Sequence, residues 1–184
     1  MRIDRRTLLS AAPGLALVVA GRAQAAGDAD TVYLDTKDGR ITIKLRRDLA
    51  PKHVAQIETL VKRHFYDGIV FHRVIDGFMA QTGDPTGTGT GKSDLPNIPA
   101  EFSHEHFARG TVGMARSQEP NSANSQFFIC FGDSGFLDGQ YTIVGQVISG
   151  MDVVDKIKKG SKADNGSVAN PDKIVKMRMA SDAK

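Results

Sequence analysis

The strongest constraint on the fold is a series of short apolar runs separated by turn residues. The first two lie within 31–45, where apolar and polar residues alternate on either side of Asp38-Gly39, the pattern of a β-hairpin. Six further runs follow at 69–74, 78–81, 111–115, 126–131, 141–148 and 174–179. Eight candidate strands with few helical segments favour a closed antiparallel barrel or a sandwich.

Helical periodicity occurs in one longer segment. Pro51 opens it, at a position where a helix tolerates proline, and Val54, Ile57 and Leu60 fall three residues apart on one face. The open end of a barrel is a natural place to bury such a face. Brief helices are also expected at 101–108 and 153–158.

The first 25 residues have the order of an export signal. A basic start is followed by an apolar run at 8–20 and by a small-residue site, Ala23-Gln24-Ala25. The apolar run is short for a membrane span. Arg5-Arg6 favours the twin-arginine export route, although a chance arginine pair in an ordinary signal gives the same letters. We therefore expect a periplasmic protein whose folded domain spans 26–184.

Charge and cysteine content argue against two kinds of function. Residues 1–25 hold four of the 24 basic residues and one of the 21 acidic residues, which leaves 20 of each and a formal net charge of zero in the rest. Nucleic-acid binding therefore has no compositional support. Cys130 is the only cysteine, and its apolar run indicates a core thiol rather than a nucleophile.

Two motifs that suggest ligand chemistry do not fit their patterns. The glycine-rich stretch 83–93 is not a phosphate-binding loop, because Thr86 stands where that pattern requires glycine. His104 and His106 have no further clustered ligand to complete a zinc site. No pair of nucleophile and base stands out for a hydrolase. The sequence therefore predicts no metal and no cofactor.

Arg73 is not explained by these patterns. It lies in FHRVIDGFMAQ, at 71–81, and arginine is rarely buried among apolar residues unless it is paired. One interpretation is structural, with the side-chain stem packed on the sheet and the guanidinium paired with Asp76 or Glu119. The other interpretation is that the guanidinium acts on a substrate.

Three stretches carry a resemblance to a known family: FHRVIDGFMAQTGD, GMARSQEPNSANSQFFICFGD and FLDGQYTIVGQV. They resemble the signature stretches of the cyclophilins, which are peptidyl-prolyl cis-trans isomerases, and look like the bacterial exported branch. The resemblance covers about 31–179. It implies a mostly β fold, a closed eight-stranded antiparallel barrel capped by two helices. It also implies isomerisation of X-Pro bonds in protein substrates, which assists protein folding.

The resemblance further implies roles for twelve residues. Arg73 matches the catalytic arginine, and Gln81 matches a residue that contacts the substrate backbone. Residues of the proline pocket correspond to Phe78, Met79, Phe128 and Leu137, and its rim to Phe136 and Tyr141. The groove for the residues before proline corresponds to Ala115, Arg116, Ser117 and Gln126.

Departures from the family pattern affect the expected ligands. Phe136 and Tyr141 stand where many eukaryotic cyclophilins have tryptophan and histidine, which implies weak binding of cyclosporin. Arg116 and Ser117 replace a common asparagine and alanine, so groove preferences are expected to differ.

The resemblance also sets expectations about partners. These are proline-containing segments of unfolded or partly folded proteins, without nucleic acid and without a stable membrane span. A single small barrel is most simply a monomer. The alternative from another class is a peptide-binding or chaperone module in which turnover is incidental.

Overall fold

The computed structural model describes residues 29–183, so the predicted export signal at 1–25 lies outside the described residues. Eight strands are present: β1 (Thr31–Thr36), β2 (Gly39–Leu45), β3 (Arg73–Ile75), β4 (Met79–Thr82), β5 (Thr111–Met114), β6 (Phe127–Cys130), β7 (Ile143–Ser149) and β8 (Lys176–Met179). The eight candidate strands are therefore confirmed. Their ends differ from the expected ones, most of all in β3, which begins four residues later than expected.

The strands form one antiparallel sheet in the order β3-β4-β6-β5-β7-β2-β1-β8. β1 and β2 form the predicted hairpin. Val32 and Leu34 on β1 and Ile41 and Ile43 on β2 are buried, with at most 1% of each residue exposed. The alternation in the sequence thus marks the face of the hairpin that packs on the core.

The expected closed barrel is wrong, because the sheet is an open half-barrel whose edge strands β3 and β8 do not pair. An irregular segment, 166–174, fills the gap between them. The amide of Phe71 donates to the carbonyl of Asp172, and the amide of Gly68 to that of Ile174, both at 2.8 Å. Pro171 has no amide hydrogen, which prevents this segment from continuing a regular ladder.

Two α-helices within 29–183 accompany the sheet: α1 (Pro51–Lys62), which begins at Pro51 as predicted, and α2 (Met151–Lys156), two residues earlier than expected. The expected helix at 101–108 is wrong, because a side chain from elsewhere takes the amide of Phe107, which a helix would bond to the carbonyl of Ser103. The amide of Glu101 donates to Thr142 Oγ1 at 3.1 Å, and that of Phe107 to Asp138 Oδ1 at 2.8 Å. No helix in the described part of the chain is long and apolar enough to cross a membrane.

Glu101 caps the start of α1 from a distant part of the chain. The N-cap residue, Ala50, offers no side-chain acceptor, and the Glu101 carboxylate accepts the amides of Lys52 and His53 at 3.2 and 3.1 Å. Its Oε2 also lies 2.7 Å from Nδ1 of the buried His53. Burial acts to raise the pKa of Glu101, but the hydrogen bonds outweigh it and lower that pKa. A negative charge therefore remains at the positive end of the helix.

The interior contains two apolar clusters. The larger one includes Leu34, Leu60 and Phe127 from the sheet and α1. The smaller one consists of Met79, Phe107, Phe128, Cys130, Leu137 and Ile143. Cys130 is fully buried, and burial raises the pKa of its thiol to about 11, so the prediction of a core thiol is confirmed.

The irregular segment at 166–174 should depend on Ile174 for its anchoring. Ile174 is fully buried, and Ile174→Ala should lower the free energy of unfolding by about 2–5 kcal/mol. The next residue, Val175, is 54% exposed, and Val175→Ala should change this free energy by no more than about 0.5 kcal/mol. Urea unfolding of both variants measures the difference. Equal effects would show that the segment is not anchored through Ile174.

Candidate functional site

Two adjoining cavities lie beside β3, β4 and β6. The first has a volume of about 850 Å³ and the second about 440 Å³. They share four lining residues, Gln81, Gly89, Ala115 and Arg116. A ligand longer than one residue can therefore extend from the first cavity into the second.

All twelve residues that the resemblance singles out line these cavities. Ten line the first cavity: Arg73, Phe78, Met79, Gln81, Ala115, Arg116, Phe128, Phe136, Leu137 and Tyr141. Ser117 and Gln126 line the second cavity only. The fold thus brings separate stretches of sequence together on one surface.

Neutral oxygen atoms hold Arg73 in the wall of the first cavity. The pairing of β3 with β4 sets Arg73 opposite Gln81, and Nη1 donates to Gln81 Oε1 at 3.1 Å. On the other edge of the guanidinium, Nε and Nη2 donate to O and Oδ1 of Asn165, both at 3.1 Å. No carboxylate within 29–183 forms an ion pair with Arg73, so the interpretation with Asp76 or Glu119 as its partner is wrong.

Burial affects the pKa of Arg73 but not its charge. The surrounding protein lowers the pKa of the guanidinium from its ordinary value, and nearby Tyr141 acts in the opposite direction. An arginine nevertheless stays protonated at any working pH. The first cavity therefore presents a permanent positive charge beside apolar side chains.

A relay of side-chain amides fixes Gln81. Its Nε2 donates to Gln126 Oε1 at 2.9 Å, and Gln126 Nε2 donates to the carbonyls of Gly89 and Gly91 at 3.1 and 2.8 Å. Because carbonyls accept only, the relay has one direction and leaves Gln81 Oε1 to accept from Arg73. The orientation of Arg73 thus depends on the second cavity as well as the first.

The glycine-rich stretch 83–93 folds around a carboxylate. Asp84 accepts the amides of Thr86, Gly89 and Gly91 at 2.7, 2.6 and 3.1 Å. Burial acts to raise the pKa of Asp84, but a hydrogen bond from the Thr86 hydroxyl and these amide bonds lower it overall. Since Asp84 takes amides that a phosphate group would need, the structure agrees with the conclusion that this stretch is not a phosphate-binding loop.

Aromatic side chains form the apolar part of the first cavity. The ring of Phe128 stacks on Phe107 and meets Tyr141 edge-on, with centroids 6.0 Å apart in both cases. Phe78 and Phe136 lie 5.2 Å apart, and Phe136 is 64% exposed. Phe128 is therefore held within the smaller core cluster, whereas Phe136 projects from the rim.

Arg116 fastens the rim rather than projecting freely into the groove. Its guanidinium carbon lies 4.5 Å from the ring centroid of Tyr141, a cation–π distance. Nη2 donates to the carbonyl of Gln140 at 3.0 Å and Nη1 to that of Ser117 at 2.9 Å. The arginine that replaces a common asparagine thus links the two sides of the rim.

Sequence reasoning missed several polar side chains on the first cavity, among them His72 and Asn165. His72 is buried, and neither ring nitrogen has a hydrogen-bond partner among the described residues. Burial lowers the pKa of His72 despite the opposing charge of Asp84, so the ring is neutral. Asn165 lies 92 residues from Arg73, and its only sequence signal is the Asn-Gly pair typical of a turn.

Comparison with known proteins identifies the family. Residues 31–179 match the family described as "Cyclophilin type peptidyl-prolyl cis-trans isomerase/CLD". The chain belongs to the cyclophilin family. It is 58% identical to a "Probable peptidyl-prolyl cis-trans isomerase" of Brucella suis biovar 1 (strain 1330), over 97% of this chain and 98% of that protein. The protein is accordingly an enzyme, a peptidyl-prolyl cis-trans isomerase.

Solved cyclophilin structures share the fold. A cyclophilin from Hirschia baltica aligns with a TM-score of 0.75 and 29% identity, over 84% of this chain and 75% of that one. A cyclophilin-type isomerase from Cryptosporidium parvum, crystallised in the presence of the dipeptide Ala-Pro, aligns with a TM-score of 0.73 and 28% identity. That alignment covers 81% of this chain and 98% of the other. The mostly β cyclophilin fold is therefore confirmed.

An ionic cluster supports the rim of the cyclophilin cavity. His106 Nδ1 lies 2.7 Å from Asp138 Oδ2, and Nε2 lies 3.0 Å from Asp133 Oδ2. The two aspartates flank the short 3₁₀ turn Gly135–Leu137, which carries Phe136. Hydrogen bonds to Asp138 and then to Asp133 raise the pKa of His106. Residues 29–183 contain no group of histidine, cysteine and acidic side chains that could hold a metal ion.

The His106 cluster should make stability depend on pH. Because the folded protein raises the pKa of His106 above its ordinary 6.5, the ion pairs stabilise the fold below that pH. This contribution should disappear as the pH rises through the folded-state pKa of His106. The gap in unfolding free energy between wild type and His106→Gln should therefore be larger at about pH 5.5 than at about pH 8.5.

Denaturant unfolding at both pH values checks this prediction. The aspartates stay ionised in this range, because their pKa values are lowered from 3.8. His104→Gln is a matched control, since His104 is exposed and forms no ion pair within the described part of the chain. A gap for His106→Gln that does not depend on pH would contradict the charged cluster.

Proposed function

We propose that Arg73 is the catalytic residue of this cyclophilin and that it donates a hydrogen bond to the nitrogen of a substrate proline. The observation that carries the proposal is a guanidinium that has no ionic partner within 29–183 and that Gln81 and Asn165 hold beside the apolar side chains of the first cavity. A guanidinium has five N–H bonds, and these contacts occupy three of them. Two donors are thus left for a substrate.

The chemistry of the amide explains why one donor is useful. Resonance in the X-Pro amide sets a rotation barrier of about 18–20 kcal/mol, and the uncatalysed reaction takes tens to hundreds of seconds. In the planar amide the nitrogen lone pair is delocalised, whereas in the twisted transition state it can accept a hydrogen bond. A donor aimed at this nitrogen therefore binds the transition state more tightly than either isomer. No bond is broken, so neither nucleophile nor metal is needed.

The apolar side chains supply the second requirement, a fixed proline ring. Met79, Phe128 and Leu137 are buried to at least 94% and form a firm floor, and exposed Phe136 closes the rim. In our proposal the ring lies on this floor while the chain before it rotates. A proline ring bound on this floor would exclude water from it, which strengthens the hydrogen bond from Arg73.

The second cavity is suited to the substrate residues before proline. Polar side chains contribute to its lining, among them Ser117, Asn124 and Gln126. We propose that these groups and Gln81 hold the substrate backbone, as the family resemblance implies. The proposed substrates are proline-containing segments of unfolded or partly folded proteins, and the proposed role is to assist their folding.

The cellular setting and other ligands are also proposals. The 1–25 segment supports export to the periplasm, by the twin-arginine route, of a domain that spans 26–184. Balanced charge outside that segment and the single small domain support a monomer. Phe136 and Tyr141, in place of the tryptophan and histidine of many eukaryotic members, support weak cyclosporin binding.

Replacing Arg73 tests the proposed mechanism. Arg73→Ala should lower the catalysed isomerisation rate of an Ala-Pro peptide by about 10²–10³, because the donor to the proline nitrogen is lost. Peptide affinity should fall much less, since the apolar floor remains. Protease-free NMR exchange measurements give both quantities on the same sample. Arg63→Ala is the control, because Arg63 is exposed at the end of α1 and lines neither cavity.

Other outcomes would lead to different conclusions. Equal rates in wild type and a folded Arg73→Ala variant would make Arg73 structural. Peptide binding without acceleration by the wild type would favour the binding-module alternative. Circular dichroism and thermal unfolding of each variant separate a lost donor from a lost fold.

The export proposal has its own test. Replacing both Arg5 and Arg6 with lysine should retain the protein in the cytoplasm, because twin-arginine signals need the arginine pair. Arg2→Lys, which leaves the pair intact, should be exported. Cell fractionation gives the location, and N-terminal sequencing of the periplasmic form should begin at Ala26. Export of the double variant would point to the general secretion route.

A further inference from the structure

We propose that Asn165 is a positioning residue for the reaction, which holds the Arg73 guanidinium at the angle needed to reach the substrate. The inference rests on the proposed role of Arg73 as the catalytic donor. Asn165 lies on the lip of the first cavity in a loop far from Arg73 in sequence. It has no assigned role in the resemblance to the cyclophilins.

The contact between Asn165 and Arg73 has two points. The backbone oxygen of Asn165 accepts from Nε, and Oδ1 accepts from Nη2, both at 3.1 Å. Nε and Nη2 form one edge of the planar guanidinium, so one residue fixes that whole edge. Gln81 holds only Nη1, and a single hydrogen bond leaves the group free to swing about it. Asn165 therefore supplies the contacts that define the plane of the guanidinium.

The backbone of the loop is anchored independently of the Asn165 side chain. The amide of Val74 donates to the carbonyl of Gly166, and the carbonyl of Val74 accepts from the amide of Gly160, both at 2.8 Å. A Cβ at Gly166 would lie 2.5 Å from Ile75 Cγ1, so the loop approaches β3 closely enough to require glycine. These contacts place the residue before Gly166 directly beside Arg73.

The backbone conformation of Asn165 allows its side chain to be removed by substitution with glycine. Its φ is 53°, in the left-handed region that asparagine tolerates and glycine adopts at no cost. Asn165→Gly thus removes the Oδ1 acceptor while keeping the conformation of the loop. Asn170, in the same loop with φ of 52°, lines neither cavity, and Asn170→Gly is a matched control.

The experiment compares rate and affinity for an Ala-Pro peptide. Asn165→Gly should lower the catalysed rate roughly fivefold to tenfold, the size of a coupling between contacting residues. The dissociation constant of the peptide should stay within about twofold of wild type, and Asn170→Gly should change neither quantity by more than about twofold. A rise in the dissociation constant that accounts for the lost rate would overturn the proposal, since Asn165 would then act on the substrate.

A double-mutant cycle tests whether Asn165 acts through Arg73. In Arg73→Lys the ammonium cannot make both contacts, so adding Asn165→Gly should change the residual rate by less than about twofold. The same fold-loss in both backgrounds would overturn the proposal. Measurements on Arg73→Ala distinguish failure of this inference from failure of the proposed function. If Arg73→Ala is inactive while Asn165→Gly is fully active, only the role of Asn165 is overturned. A fully active Arg73→Ala overturns the proposed function and this inference together.

Discussion

The hydrogen bonds between Arg73 and three neutral oxygen atoms are the interaction on which the site depends. A carboxylate partner would have held the guanidinium more strongly, but it would also have offset the charge that a substrate could use. Amide and carbonyl oxygens satisfy the N–H groups and leave the net charge in place. Gln81 and Asn165 therefore orient the guanidinium of Arg73 without neutralising its positive charge.

The open edge of the sheet is part of this solution. If β3 and β8 paired directly, a regular strand would occupy the space where the 160–174 region now bonds to 68–74. The irregular segment accepts hydrogen bonds from the amides of Gly68, Phe71 and Val74, and Asn165, the residue before it, contacts Arg73. The departure from a closed barrel and the presence of a second support for Arg73 thus have the same structural cause.

The sequence predicted elements well where one physical signal determines them. Alternation along β1 and β2 and the proline at the start of α1 reflect local geometry, and both elements formed as expected. The helix at 101–108 failed because a distant acceptor, Asp138 Oδ1, takes the amide of Phe107 inside that segment. The twelve cavity residues came from family resemblance. Neither the resemblance nor a local sequence pattern pointed to Asn165. Its contact with Arg73 forms only because the loop that carries it packs against β3.

The carboxylates near the first cavity have other partners than Arg73, so they do not neutralise its positive charge. Asp84 is engaged by three backbone amides, and Asp138 by His106 and the amide of Phe107, so both structure the loops that frame the cavity. Asp164 is the only carboxylate among the described lining residues, and it is exposed to water, which screens it. The acids near the site therefore stabilise its walls rather than its arginine, and no carboxylate within 29–183 offsets the positive charge of Arg73 in an ion pair.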